Sequence, residues 1–343
     1  MKIELDNNNI KYSGRIDFSN PKKPQFIFPS SSLEIHFIGS GMEIEVTNKH
    51  DYFRSFIGAV IDGTVNKFEI NMQGKTKISI FNEEKEEEHT VIIYKALDAC
   101  HEFTINKMKI LGNVKLLQTK DKPKRKIEFY GDSISAGEIT EAIEYVGKED
   151  PIHEGQYSNS WYSYTWMCAR KLNAEIHNIS QGGIALTNNA GWYQEPDYMG
   201  MEEMWDSLHY SPKFGAKTKW DFSLFTPDVV VIAIGQNDSH PDDYMATDYY
   251  CEKSIYWRKQ YKEFVMKIKE KYKNAYIILT TTPMFHNEKW DQSINDVCID
   301  IGNEKIKHFL YKNNGIGTPG HLRISESEEM ATELAAYIER TCY

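Results

Sequence analysis

The chain lacks a long apolar run. No window of its 343 residues approaches the roughly 18 consecutive apolar residues of a membrane span, so no membrane partner is expected. Its start, Met1-Lys2-Ile3-Glu4-Leu5-Asp6-Asn7, has no apolar stretch ahead of a small-residue cleavage site. A cytoplasmic protein is the expectation, although a secreted chain already trimmed of its leader would read the same way. Cysteine is scarce: five residues, at 100, 168, 251, 298 and 342, are odd in number and form no Cys-x-x-Cys pair. That excludes a zinc ribbon or a dithiol redox centre and leaves reduced, buried thiols. Positive charge is in deficit. A net charge of −10 argues against nucleic acid, whose affinity comes from neutralising phosphates. The basic run Lys122, Lys124, Arg125, Lys126 is short and reads as a solvated linker at a domain junction. No internal repeat or low-complexity segment appears.

What is present describes an ordered globular protein. Hydrophobic residues make up 41% and aromatics 13%, and the 21 tyrosines and seven tryptophans exceed the needs of a minimal core. Surplus aromatics either pack or face flat ligands such as sugars. At this length two domains are expected, and the rhythm changes where they would meet. Residues 1–120 carry short runs that alternate apolar with polar, such as Leu33-Glu34-Ile35-His36-Phe37 and Met42-Glu43-Ile44-Glu45-Val46. Turn signals at Gly39-Ser40-Gly41 and Asp62-Gly63 separate them, and the pattern predicts an all-β sandwich or jelly roll. The acidic run 83–88 reads as a solvated hairpin loop between two strands.

Residues 121–343 alternate strand and helix. Strand-like runs fall at 126–130, 174–179, 228–234, 275–282 and 305–311, and helical patterns at 160–172, 254–272, 292–303 and 326–340. The run 228–234 is continuously apolar after Asp228, as a central parallel strand should be. This alternation predicts a three-layer α/β domain on a parallel sheet. Ligands of such sheets bind at the carboxyl ends of the strands.

Four segments lie at those ends or in late loops. Ile127-Glu128-Phe129-Tyr130-Gly131-Asp132-Ser133 ends a strand in a tight turn that would hold the Ser133 hydroxyl clear of the sheet. A serine is a weak nucleophile until a base takes its proton. Gly182-Gly183 follows the second strand and lets the backbone turn an N–H outward. Asn237, in Gly235-Gln236-Asn237-Asp238, offers an amide to an oxyanion, the charge that develops on a carbonyl oxygen in acyl transfer. His321 precedes the last amphipathic helix, whose start Ser325 and Glu328 would cap. Met330, Ala331, Leu334, Ala335 and Ile338 line one face of that helix. His240 is the rival base. The order nucleophile, oxyanion donors, base reads as a serine esterase, with Ser133 and His321 catalytic and Ser133, Gly182, Gly183 and Asn237 holding the oxyanion. Trp192, in Gly191-Trp192-Tyr193, is a candidate sugar platform, whereas Trp161 and Trp290 read as core.

On these four segments the chain resembles the SGNH (GDSL-type) hydrolase superfamily, whose blocks supply Ser, Gly, Asn and His. With a jelly roll ahead of them it resembles carbohydrate esterase family 2. Matching features are residues 11–17 (Lys-Tyr-Ser-Gly-Arg-Ile-Asp), Ile61-Asp62-Gly63, His89-Thr90-Val91 before Tyr94-Lys95-Ala96, and the spacing of 321–334. The resemblance covers nearly the whole chain. It implies an esterase that removes acetyl groups from sugars, typically of xylan or mannan, with neither metal nor other cofactor. Departures from the pattern carry expectations of their own. Thr318 stands where many SGNH enzymes place an aspartate three residues before the histidine, so a Ser133–His321 dyad with a backbone carbonyl orienting the histidine is expected. Leu322 replaces a frequent proline. Glu138 is unusual after the serine block and suggests a hydrogen bond to substrate. The competing readings are a lipase-like or thioesterase-like acyl hydrolase and a catalytically inactive glycan-binding protein.

Overall fold

A computed structural model describes residues 1–343. The first part is an antiparallel sheet of ten strands. Its spine, Ser32–His50, pairs with Gly74–Lys95 on one side and His101–Leu111 on the other. Alternating side chains of these strands fill one core with Phe26, Leu33, Ile35, Phe37, Ile44, Val46, Ile57 and Phe103. The Asp62-Gly63 turn joins Ser55–Ile61 to Thr64–Ile70 as a two-residue hairpin. Both turn residues have positive φ (49° and 87°), the backbone that matches the twist of the flanking strands.

The acidic run departs from expectation. Residues 83–88 do not form a hairpin loop but continue the strand Gly74–Lys95. Gly41 pairs with Asn82 and Gly39 with Glu87, so residues 83–86 bulge outward opposite Ser40. A bulge lets a long strand bend without ending it, and the exposed glutamates stay in water.

The second part is a five-stranded parallel sheet in the order Ala174–Ser180, Arg125–Gly131, Val229–Ala233, Tyr276–Thr280, Ile306–His308. Val229–Ala233 is wholly buried, as its unbroken apolar sequence demands. Helices Glu252–Lys271 and Glu288–Ile301 cover one face, burying Trp257, Phe264, Trp290 and Ile294. Helices Tyr164–Lys171 and Ile324–Cys342 cover the other, burying Met330, Leu334 and Ile338. The last helix begins two residues earlier than its sequence pattern suggests. Its first turn is closed by Glu326, which accepts from the Arg323 N–H at 2.8 Å, and not by Ser325 with Glu328.

The two parts share a buried seam. Arg15, from the β-domain, is fully enclosed beneath the parallel sheet. It donates to the Trp205 carbonyl at 2.7 Å and the Tyr130 hydroxyl at 2.8 Å, and it meets Glu128 at 3.3 Å. Nearby the Ser13 hydroxyl donates to the Ile176 carbonyl. At the basic junction, Lys122 pairs with Glu175. The strand order turns back beside Arg125–Gly131, and the candidate residues gather at the carboxyl end of that strand.

Candidate active site

The strand Arg125–Gly131 stops because Asp132 caps a new helical turn. Its Oδ1 accepts from the Ile134 N–H at 3.1 Å and starts that single turn, Ser133–Ala136, which Gly137 closes in the left-handed region. Ser133 therefore sits at the first position of the turn with its hydroxyl directed off the sheet. Gly131 has no alternative, because a Cβ there would overlap Ser135.

His321 comes to Ser133 from the far end of the chain. Its Nε2 lies 2.9 Å from Ser133 Oγ. His240 makes no such approach. It lies flat beneath Trp192 with ring centroids 3.4 Å apart.

The expected dyad is corrected at the other ring nitrogen. No backbone carbonyl orients His321. The Asp150 carboxylate does so, with Oδ2 2.6 Å from Nδ1 and Oδ1 accepting the His321 N–H at 2.9 Å. Asp150 stands in the loop that crosses from the serine block to the helix Tyr164–Lys171. Gly320 makes room for that loop, since a Cβ there would lie 2.6 Å from both Asp150 Oδ1 and the Lys148 carbonyl. The fully buried Arg323 braces the pair: it meets Asp150 at 2.9 Å and donates to the His321 carbonyl. Burial raises the Asp150 carboxyl, but the hydrogen bonds and charge of His321, with the Arg323 contact, outweigh it and hold the group down to about 2. At neutral pH His321 thus has a carboxylate partner. Asp132 and Asp238 serve elsewhere, Asp132 as the cap of the serine turn and Asp238 on the N–H groups of Leu186 and Thr187.

The oxyanion candidates are not equivalent. The Gly182 N–H is engaged, donating to Asp98 Oδ2 at 2.8 Å. The Gly183 N–H makes no hydrogen bond within the protein, and Gly183 lines the cavity. Gly183 must be glycine, having φ of 69° and no room for a Cβ beside Trp192. Asn237 also lines the cavity, its amide touching the Ile184 carbonyl at 3.1 Å and Asp132 Oδ2 at 3.3 Å.

These groups open into a cavity of about 800 Å³. Glu138 lies on its floor, with Oε2 3.8 Å from His321 Nε2. Burial, then the neighbouring Asp98 charge, pushes the Glu138 carboxyl well above the usual carboxylate range. Trp192 forms a wall and is 55% exposed, the most open tryptophan ring. The β-domain supplies Asp51, Tyr52 and Phe53 to the same cavity. Trp290 is core as expected, and Trp161 is half-buried against Trp166 and Arg170.

The comparisons with known proteins bear on both domains. Residues 12–120 match the family model "Carbohydrate esterase 2 N-terminal". A solved family two carbohydrate esterase from Clostridium thermocellum, in complex with cellohexaose, superposes with a TM-score of 0.80 at 26% identity, over 96% of this chain and 98% of that one. Over nearly its whole length the chain is similar to family 2 carbohydrate esterases. Two curated relatives agree with that placement. The cellulase/esterase CelE of Acetivibrio thermocellus is 28% identical over 97% of this chain, and this chain spans 40% of its length. The acetylxylan esterase / glucomannan deacetylase of Cellvibrio japonicus is 25% identical over 84% of this chain and 75% of that protein.

Sequence reading singled out Ser133, His321 and the Gly182-Gly183 turn, and the fold brings all of them to one cavity. The reading missed Asp150, Asp98 and the β-domain wall. The chain holds 50 acidic residues. Nothing in the local pattern around Asp150 distinguishes it from the rest; only the bend of the loop over Gly320 does.

Proposed function

We propose that this chain is a serine esterase that removes O-acetyl groups from acetylated sugars or oligosaccharides of the xylan or mannan type. The observation that carries the reading is His321, with Ser133 Oγ 2.9 Å from one ring nitrogen and Asp150 2.6 Å from the other, at the floor of an open cavity.

The geometry performs acyl transfer in two halves. His321 Nε2 takes the Ser133 proton as Oγ attacks the acetyl carbon. Asp150 keeps the Nδ1 proton in place and balances the imidazolium that forms. The carbonyl electrons move onto oxygen, where the Gly183 N–H and the Ser133 N–H are free donors, while the Asn237 amide already meets the Ile184 carbonyl and Asp132 and shares its protons with them. The intermediate collapses, the C–O bond to the sugar breaks, and His321 returns its proton to the sugar hydroxyl. Water then repeats the sequence on the acetyl-Ser133 ester and releases acetate.

Two features support a sugar as the leaving group. Trp192 offers a flat apolar face held rigid by His240 beneath it. Around it the lining is polar, with Gln194, Gln236, Asn237 and Glu138 able to meet hydroxyl groups. The relative from Cellvibrio japonicus carries deacetylation of xylan and glucomannan in its name. The jelly-roll reading of the β-domain belongs to this proposal, with Asp51, Tyr52 and Phe53 making that domain part of the binding wall.

The test is acetate release from acetylated xylo- and manno-oligosaccharides, with Ser133→Ala in parallel. Release by the unaltered protein and none by the variant is expected. Turnover of long-chain acyl esters alone would keep the serine chemistry and discard the sugar. Wild-type acetate release by Ser133→Ala would discard the mechanism.

A further inference from the structure

The β-domain reaches the oxyanion turn through two side chains, Tyr52, whose hydroxyl accepts from the Gln181 side-chain amide at 2.6 Å, and Asp98, which alone takes a main-chain N–H of the turn. Asp98 lies between the strands Gly74–Lys95 and His101–Leu111 and is 2% exposed. Its Oδ2 accepts from the Gly182 N–H at 2.8 Å, the Gln181 side-chain amide at 2.7 Å and the Tyr52 hydroxyl at 2.9 Å. Its Oδ1 accepts from the Cys100 N–H at 2.9 Å. Buried Lys95 ties down the loop beneath, donating to the carbonyls of Leu97 and Asp98. On the catalytic side the Tyr210 hydroxyl holds Gln181 Oε1 at 2.7 Å. Glu138 closes the remaining space, for a Cβ on Gly182 would overlap its Oε1 and come within 2.7 Å of Asp98 Oδ2.

The main chain at 181–182 is therefore gripped by an acceptor from the other domain. An amide N–H cannot serve two acceptors at full strength. With the Gly182 N–H taken, the Gly183 N–H is the cavity-side donor of this turn that remains free. Three neutral donors converge on one buried carboxylate oxygen, so its loss would leave them to rearrange together.

We propose that Asp98 is a positioning residue for the oxyanion hole: a β-domain carboxylate that engages Gly182 and so commits the Gly183 N–H to the acyl oxygen. The proposal rests on the esterase reading above. It gives the β-domain a part in turnover that differs from binding sugar.

The test compares Asp98→Ala and Asp98→Asn with the unaltered protein. Each is measured for kcat and KM on an acetylated oligosaccharide, for affinity toward the deacetylated oligosaccharide, and for inhibition by a trifluoromethyl ketone. Ser133 Oγ adds to the ketone carbonyl carbon while His321 takes the proton, which places an oxyanion in the hole without a leaving group. Expected for Asp98→Ala is a fall in kcat of about 10- to 100-fold, toward the loss seen when one oxyanion donor is removed. KM and sugar affinity stay near their starting values, and the ketone loses the same factor as kcat. Asp98→Asn, which keeps an oxygen for the Gly182 N–H, recovers most of the rate. An unchanged kcat, a loss confined to KM, or an equal loss of sugar affinity overturns the proposal. If Asp98→Ala does not fold, Asp98→Asn decides: any fall in its kcat must be matched by the ketone, and a mismatch overturns the proposal. No acetate from the unaltered protein overturns the esterase reading and this proposal with it. Acetate from the unaltered protein with an undiminished Asp98→Ala overturns the proposal alone.

Discussion

The Asp150 carboxylate lies 2.6 Å from Nδ1 of His321 across 171 residues of chain. A loop between a strand and a helix thus supplies what Thr318, three residues before the histidine, does not. In the proposed mechanism Asp150 fixes the tautomer of the base and answers its charge.

The first prediction concerns that pair. Asp150→Asn keeps the size of the side chain but removes the charge and lets His321 take the wrong tautomer. Loss of kcat on the order of 10³- to 10⁴-fold is expected, with KM little changed. Steady-state kinetics on an acetyl ester check it, and a loss below tenfold would return the site to the dyad. Asp150 also contributes stability. Its carboxyl is held at about 2 in the fold, below its unfolded value, so the contribution is present above the ordinary carboxylate range and is lost as pH falls toward 2. At this half-exposed position solvent screening reduces it to about 1 kcal/mol.

A second prediction takes the opposite sign. Burial raises the Asp132 carboxyl to about 6. The folded state then holds a proton that the unfolded chain releases near its ordinary value. The stabilising contribution is full below about pH 4 and declines up to about pH 6. It amounts to on the order of 2–3 kcal/mol across that window. Denaturation curves of the unaltered protein and of Asp132→Asn, taken from pH 4 to 7, should diverge by about that amount. Parallel curves would refute it.

The third concerns the exposed ring. Trp192 rests on His240 and faces the cavity. Trp192→Ala should raise KM for acetylated oligosaccharides by about 3- to 10-fold, from about 0.5–1.5 kcal/mol of stacking. The kcat for a p-nitrophenyl acetate control should hold. Unaltered KM on oligosaccharides would remove Trp192 from the sugar path.

The cavity charge leads to a fourth. Asp51 and Glu195 line the site, with neither lysine nor arginine among the lining residues. Acetylated oligosaccharides that carry a uronic acid should be turned over several-fold more slowly than neutral ones at low salt. The gap should narrow as salt rises, because exposed charges are screened. Equal rates at low salt would contradict it.

The last tests the seam. Arg15 and Glu128 are both fully buried, one from each domain. Arg15→Ala leaves Glu128 enclosed without its cation and should cost about 3–5 kcal/mol of unfolding free energy. Urea denaturation would show one transition at a lower midpoint. An unmoved midpoint would mean that the seam contributes little.

Much of this was legible in the chain. Val229–Ala233 is apolar throughout and became a central strand. Ser133 comes after a strand that ends in a glycine and a capping aspartate, and His321 precedes a helix whose apolar face is plain in the sequence. These features are local: the periodicity and turn chemistry of a few neighbouring residues determine them. The acidic run 83–88 was misread because its polarity is the same in a loop and in an exposed bulged strand. Register against Gly39 and Gly41 decides between those two, and register is a property of the partner strand.

The sequence by itself determined the two-domain order, the parallel sheet, and that Ser133, the glycine turn and His321 stand at the strand ends or in a late loop. Only the tertiary structure decided that Asp150 completes the base, that Asp98 takes Gly182 and leaves Gly183 free, and that the β-domain walls the cavity. An acid's role depends on which donor comes within about 3 Å of it, and that distance is set by loops and domains packing across more than 80 residues of chain.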